Sequence, residues 1–338
     1  MTPTIRDVAA KAGVSFQLAA AVLGEKKYAR ASEAARKRIA DAARELGYVP
    51  NASARILRGD ASKIIGVLID SRAPESMYGV LAEIEHAADA LGYRILIAQA
   101  HDNPEKLMHS YHALRQNGVD GIISFAHDYP SLNCRLDQLL KDDPKIVYLQ
   151  SSLEACVSAV NVDTVGGMKT ALDHLKRNGY RNPALILADE LALSCRQRLS
   201  GFRRFAPSGC KSYFLSADEI SVDSLSVKSR KLIREELLPD QVDAIIAQND
   251  NLAAILMKEL LAEGIRIPQD FGLIGFDNLM IGQCLPVPLS SLYYDRKELS
   301  DSVLKILLDK INGNIEPVQI NCQMKFIPRE STSKKSSI

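Results

Sequence analysis

The sequence predicts an all-α helix-turn-helix headpiece joined to an α/β body of two doubly wound parallel sheets. Three observations lead there. Residues 1–48 carry apolar side chains at helical spacing in three runs, each closed by a glycine. From Lys63 onward, short Val/Ile/Leu runs alternate with amphipathic stretches of helical length, the pattern of strands covered on both faces. The charge is also split along the chain. Residues 1–60 hold eleven Lys/Arg against six Asp/Glu, or +5, and the remaining 278 residues are −4, which together give the net +1.

A length of 338 residues allows two or three domains at roughly 100–200 residues each. A basic head on a mildly acidic body is the footprint of a nucleic-acid module joined to something else; composition alone equally allows a helical segment with solvated charged faces. No apolar run reaches the ~18 residues of a membrane span, and the start of the chain has no apolar segment behind a basic one. A soluble, cytoplasmic protein without a signal peptide is therefore expected. Cys134, Cys156, Cys195, Cys210, Cys284 and Cys322 are scattered without a CxxC pair and read as reduced, mostly buried residues, although their even number leaves pairing open.

In the head, Thr4 caps a first helix with Asp7 three positions on, and Ile5, Val8, Ala9 and Ala12 define its buried face. Gly13 supplies a left-handed turn, Ser15 caps a second helix to about Leu23, and Gly24 stops it. Ser32 caps a third helix, with Ala35, Ile39, Ala42, Ala43 and Leu46 on one face and Gly47 at its end. Two short helices on a tight glycine turn, braced by a third, form a helix-turn-helix, whose second helix aims its first residues at base edges. Those residues are Ser15, Phe16 and Gln17, with Ala21 one turn on. Gln17 suits an adenine edge and Phe16 a thymine methyl, while Leu18-Ala19-Ala20-Ala21 offers no side-chain hydrogen bond. A generic helical bundle would carry the same spacing. In residues 49–61, Pro50 ends the third helix and Asn51 caps a segment too short and polar to be helical alone. Arg55 and Arg58 suit phosphates and Leu57 a minor-groove wedge; the segment reads equally as an ordinary linker.

In the body, strands are expected at 64–69, 94–98, 121–125 and 146–149, with helices near 77–91, 104–117 and 131–140. A second set follows at 184–187, 213–215, 244–247 and 273–276, with helices near 164–178, 195–205, 222–237 and 251–263. The cleft between two such sets is the default ligand site. No GxGxxG, GxxxxGK[ST], GxSxG or HExxH occurs. His109 and His112 read as surface helix residues, Asp142-Asp143 as a solvated loop, and no metal, cofactor or catalytic set is expected. Polar residues stand at strand ends: Asp163, Asn249-Asp250 and Asp277-Asn278, with Arg198 on a helix. They suit a polar, hydroxylated or ring-nitrogen ligand, or else cap the following helices.

The run Thr4-Ile5-Arg6-Asp7-Val8-Ala9, Ala12-Gly13-Val14-Ser15, with Leu46-Gly47-Tyr48, Pro50-Asn51 and Ala54-Arg55-x-Leu57, resembles the headpiece and hinge of the lac repressor family. Val162-Asp163-x-x-Gly166, Arg198-x-x-Gly201-Phe202, Asn249-Asp250, Gly275-Phe276-Asp277 and Pro328-Arg329-Glu330-Ser331 are similar to that family's periplasmic-binding-protein-like effector domain. The resemblance implies a headpiece at 1–48 and a hinge helix at 49–61. It also implies an effector and dimerisation domain at 62–331, with subdomains at about 62–160 plus 293–321 and 161–292 plus 322–331. Residues 332–338 are expected to be a disordered tail. The implied DNA contacts are Thr4, Ser15, Phe16, Gln17, Ala21, Asn51, Arg55 and Leu57; the implied effector contacts are Tyr78, Asp163, Arg198, Asn249, Asp250 and Asp277. Members of the family commonly have a polar Thr-Val-Ser-Arg stretch where this chain has Leu18-Ala19-Ala20-Ala21, and an Asn-Pro-Phe-Phe loop where it has Pro74-Glu75-Ser76-Met77-Tyr78.

The function expected is that of a DNA-binding transcription regulator, a repressor, bound as a homodimer to a pseudo-palindromic double-stranded operator. A small polar effector, sugar or sugar-like, would act in the body cleft, with no membrane partner. The alternatives are a solute-binding protein without a DNA role, and an enzyme of sugar or nucleotide metabolism.

Overall fold

The computed structural model describes residues 3–24, 30–49, 61–70, 73–100, 104–125, 142–150, 157–188, 193–215 and 221–334. The chain divides into two compact units, Met1–Lys63 and Ile64–Ile338.

The first unit holds α1 (Ile5–Ala12), α2 (Phe16–Leu23) and α3 (Glu33–Leu46). Each begins where a side-chain oxygen satisfies an orphan amide. The Thr4 hydroxyl accepts from the Asp7 amide while the Asp7 carboxylate accepts from the Thr4 amide at 2.7 Å. Ser15 accepts from Leu18 at 3.2 Å, and Ser32 from Ala35 at 3.3 Å. Gly13 and Gly47 both adopt φ 64°, a conformation that would strain any residue with a Cβ. Gly24 stops α2 at an ordinary φ of −89°. Val8, Ala12, Ile39, Ala42 and Ala43 form the small core, closed by Val14, Leu18, Val22, Leu23, Leu46 and Tyr48.

The second unit contains two six-stranded sheets. The first uses β1 (Ile64–Asp70), β2 (Arg94–Ala100), β3 (Gly121–Ser124), β4 (Ile146–Leu149), β5 (Ala159–Val162) and β11 (Gln319–Cys322), in the order β11-β5-β4-β3-β1-β2, all parallel. α4 (Glu75–Ala90), α5 (Pro104–Gln116) and α11 (Arg296–Ile311) accompany it. The second sheet uses β6 (Pro183–Leu187), β7 (Ser212–Phe214), β8 (Ala244–Ala247), β9 (Gly272–Phe276), β10 (Ser290–Tyr293) and β12 (Lys325–Ile327), ordered β12-β10-β9-β8-β6-β7. With it go α6 (Thr164–Arg177), α7 (Leu193–Phe205), α8 (Val222–Leu232), α9 (Asp250–Ala262) and the short α10 (Met280–Cys284). β3, β4, β6, β8 and β9 are buried along their whole length, as continuous Val/Ile/Leu runs require when helices cover both faces. Fully burying each such side chain contributes ~1.5–3 kcal/mol.

The chain crosses between the sheets three times, after β5, β10 and β11. All three leave from carboxyl ends, so the carboxyl edges of both sheets face one cleft. The second sheet is parallel as expected except at its edge, where β12 pairs antiparallel with β10. Having left the first sheet at the cleft, the chain enters the second from the cleft side and runs against its strands.

Other differences are local. β10, β11 and β12 are short and contain polar residues, and the expected strands included none of them. α10 and α11 were also absent from the expectation, although Leu299, Val303, Leu304 and Leu307 of α11 have plain helical spacing and fill the core of the first sheet. The helix expected at 222–237 ends in a π-turn at Ile233–Leu237. Asp143 is no solvated loop residue: its carboxylate accepts from Tyr111 at 2.8 Å, from the Lys145 amide at 3.0 Å and from Arg115. Thr332, expected in a disordered tail, is fully buried, and its hydroxyl meets Ser290 at 2.6 Å and His174 at 2.8 Å; residues 335–338 lie outside the described residues. The helix expected at 131–140 and most of the hinge lie outside the described residues.

Candidate functional site

Two surfaces answer to the candidate residues, one in each unit. In the head, α2 follows the Gly13 turn, and its first residues are bare: Phe16 is 50% exposed and Gln17 is exposed, with Ala21 half-buried. Thr4 and Ser15, named as DNA contacts, are exposed but spend hydroxyl hydrogen bonds on their helix caps. The apolar stretch is explained by packing. Ala19 is fully buried and Leu18 closes the head core with Val22, so only Phe16, Gln17, Ala20 and Ala21 remain for an outer face. α2 itself carries no charge. Asn51, Arg55 and Leu57 lie outside the described residues.

The body cleft is built at the carboxyl ends of the strands. Asp277 follows β9 at φ 91°, a conformation costly for a residue with a Cβ. Burial pushes its carboxyl above the usual range, opposed by Arg198, by a hydrogen bond from Ser76 and by Arg296. These neighbours come from both halves of the body: Arg198 from α7, Ser76 and Arg296 from the first turns of α4 and α11. Arg198 is only 8% exposed, its guanidinium carbon lies 4.3 Å from the Phe276 ring centre, and its Nε has no hydrogen-bond partner among the described residues. Among the described residues, the buried Tyr294 hydroxyl and the Ser124 hydroxyl at the end of β3 also lack a hydrogen-bond partner within bonding distance. Arg296 lies across α4 at Gly79, where a Cβ would stand 2.5 Å from the guanidinium.

The other candidates divide. Asp163 caps α6 by accepting from Gly166 at 2.8 Å, and a Cβ at Gly166 would strike its second oxygen. Asn249 caps α9 by accepting from Leu252 at 2.9 Å. Asp250, named as an effector contact, is 0% exposed, with one oxygen accepting from the Leu279 amide at 2.6 Å and the other from the Ser291 hydroxyl at 2.7 Å. Tyr78 lines a groove of about 480 Å³ along α4 and the edge strand β2, with Leu81, Tyr93, Ile95 and Ile97. Asp250 thus lies beside Asp277 with both oxygens bonded inside the body, while Tyr78 lines the groove along α4 and β2. Sequence reasoning missed Ser76, Ser124, Tyr294 and Arg296. The strand-end rule that found Asp277 applies equally to Ser124 and Tyr294; the other two are first-turn residues of helices.

Buried donors without partners beside a carboxylate are what a polar ligand satisfies. Among the described residues no cluster of His, Cys, Asp or Glu is arranged to hold a metal, and no helix is long and apolar enough to cross a membrane.

A helix-turn-helix head on a two-lobed body with a polar cleft defines a ligand-responsive DNA-binding regulator. Residues 4–51 match the family described as "Bacterial regulatory proteins, lacI family", and residues 172–332 match a periplasmic binding protein-like domain. The transcriptional regulator DegA of Bacillus subtilis is 30% identical over 88% of each chain, and the repressor PurR of Vibrio cholerae 26% identical over 91% of each. The lac repressor dimer bound to operator and the anti-inducer ONPF superposes with a TM-score of 0.87, at 22% identity, over 99% of this chain and all of that one. The chain belongs to the lacI family of bacterial regulatory proteins.

Proposed function

We propose that this chain is a repressor that binds a pseudo-palindromic operator as a homodimer and is controlled by a small polar, hydroxylated effector in the body cleft. The observation that carries the effector reading is the buried Arg198 Nε without a partner, set beside Asp277. A guanidinium fork and a carboxylate together address neighbouring hydroxyls or ring nitrogens, as a sugar, sugar acid or nucleobase presents them.

On the DNA side, Phe16 and Gln17 read base edges, with Ala21 against the same groove. Asn51 and Arg55 meet the backbone, and Leu57 enters the minor groove. Dimerisation is supported by the α4–β2 groove, where Ile97 is 48% exposed on an edge strand, and by exposed Met280 and Ile281 on α10. Acting on operator DNA places the chain in the cytoplasm.

Thermal shift of the full chain against D-glucose, D-ribose, D-gluconate and adenine tests the cleft, because a ligand that binds only the folded state raises the melting temperature. Binding to a random-sequence duplex pool tests the head. If about 6–10 phosphates are engaged, affinity falls about 10³–10⁵-fold between 50 and 200 mM salt. A response flat with salt would overturn the DNA reading.

A further inference from the structure

We propose that Asp250 is a positioning residue of the cleft: it touches no ligand, and it fastens the turn after β9 so that Asp277 faces Arg198. The proposal rests on the reading of the cleft as a ligand site.

The turn is tied down amide by amide. Asp277 donates to the Leu292 carbonyl at 2.7 Å, Asn278 to the Ser291 hydroxyl at 3.1 Å, and Leu279 to Asp250 at 2.6 Å. Ser291 in turn donates to the other Asp250 oxygen at 2.7 Å, so one carboxylate governs two of the three anchors. Arg329 closes the fourth side, donating to the Asn278 side chain and to the Leu289 carbonyl at 2.6 Å each. Those bonds hold Asp277 and Asn278 at φ 91° and 49°, left-handed backbone that is uncommon for residues with side chains and that Asp and Asn enter more readily than most. The carboxylate fits because one neighbour is glycine: a Cβ at Gly275 would lie 2.0 Å from one of its oxygens. Asn249, the preceding residue, already caps α9, so Asp250 is not needed as its cap.

Hydrogen–deuterium exchange on the full-length chain tests this with wild type, Asp250→Asn and Asp250→Ala. Asp250→Ala is expected to speed exchange of the 277–279 amides about tenfold or more, leaving β6 and β8 unchanged. Asp250→Asn, which keeps an acceptor for the Leu279 amide and can donate its own amide N–H to the Ser291 hydroxyl, reversing that bond, is expected to restore protection. Exchange unchanged at 277–279, or raised equally everywhere, would overturn the proposal. Of D-glucose, D-ribose, D-gluconate and adenine, whichever stabilises wild type is expected to bind Asp250→Ala at least tenfold more weakly. Equal binding to both would also overturn it. If none binds wild type while the exchange result holds, the cleft reading fails and the anchoring of Asp277 by Asp250 stands.

Discussion

Asp250 and Asp277 are two carboxylates under different pressures. Burial pushes Asp250 up to about 7, against the hydrogen bonds from Ser291 and Leu279; Asp277 adds to the rise and Arg329 opposes it. A carboxyl whose folded value lies above its unfolded one, ~3.9, binds more protons in the folded chain between the two. Its contribution to stability is complete below about pH 4 and is lost as pH rises through about 7, at a cost of roughly 3–4 kcal/mol. Urea unfolding at pH 4.5 and 7.5 is expected to show Asp250→Asn gaining on wild type by a large part of that amount at the higher pH. A difference between the two proteins that stays constant with pH would sink the prediction. The residue scale is also where sequence reading was weakest. Asn249 and Asp250 are adjacent and both polar, and nothing local distinguishes the cap from the buried anchor. The distinction is made by Leu279 and Ser291, 29 and 41 residues away.

At the scale of elements, α2 is uncharged and its outer face begins with an aromatic ring. A ring against a thymine methyl loses that contact when thymine becomes uracil, which removes the methyl alone. Half-sites selected from a duplex pool are expected to bind several-fold more weakly when remade with deoxyuridine, and Phe16→Ala is expected to erase the difference. Equal affinity of Phe16→Ala and wild type for thymine duplexes would rule the contact out. The head that presents α2 depends on few large side chains, chiefly Val8 and Ile39. Ile39→Ala is expected to cost ~2–5 kcal/mol, a large share of a small domain's stability. It should abolish DNA binding while the body's melting transition, followed by calorimetry, stays in place. The elements themselves were legible: caps at Thr4, Ser15 and Ser32, glycines at 13 and 47, and apolar runs at β1, β6, β8 and β9 announce themselves within a few residues. β11 and β12 did not, because an edge strand with one half-open face carries no apolar run.

For the whole molecule, the groove along α4 and β2, where Leu81, Ile95 and Ile97 lie among Glu85, Asp89 and Arg94, is expected to be covered in the dimer. Ile97→Asp would place a charge on that edge strand, and sedimentation velocity is expected to show a shift toward monomer with the fold retained by circular dichroism. An unchanged dimer would move the interface elsewhere. Loss of dimerisation should also weaken operator binding far more than Phe16→Ala does, because a two-fold site is held through both heads.

The sequence by itself determined the partition into a basic helical head and an α/β body, the order of most elements and the residue types at the strand ends, since each is written in spacing, capping and charge over a few neighbouring residues. Only the tertiary structure decided that Asp277, Arg198, Ser76 and Arg296 meet, that Asp250 turns inward, that Tyr78 lies in another groove and that β12 runs backwards. The meeting at Asp277 and the direction of β12 depend on the three crossings between the two sheets, which bring Ser76 to Asp277, 201 residues further along the chain, whereas Asp250 finds Leu279 and Ser291 only 29 and 41 residues on. A buried polar side chain takes whichever partner the fold brings within about 3 Å, and no local pattern records that choice.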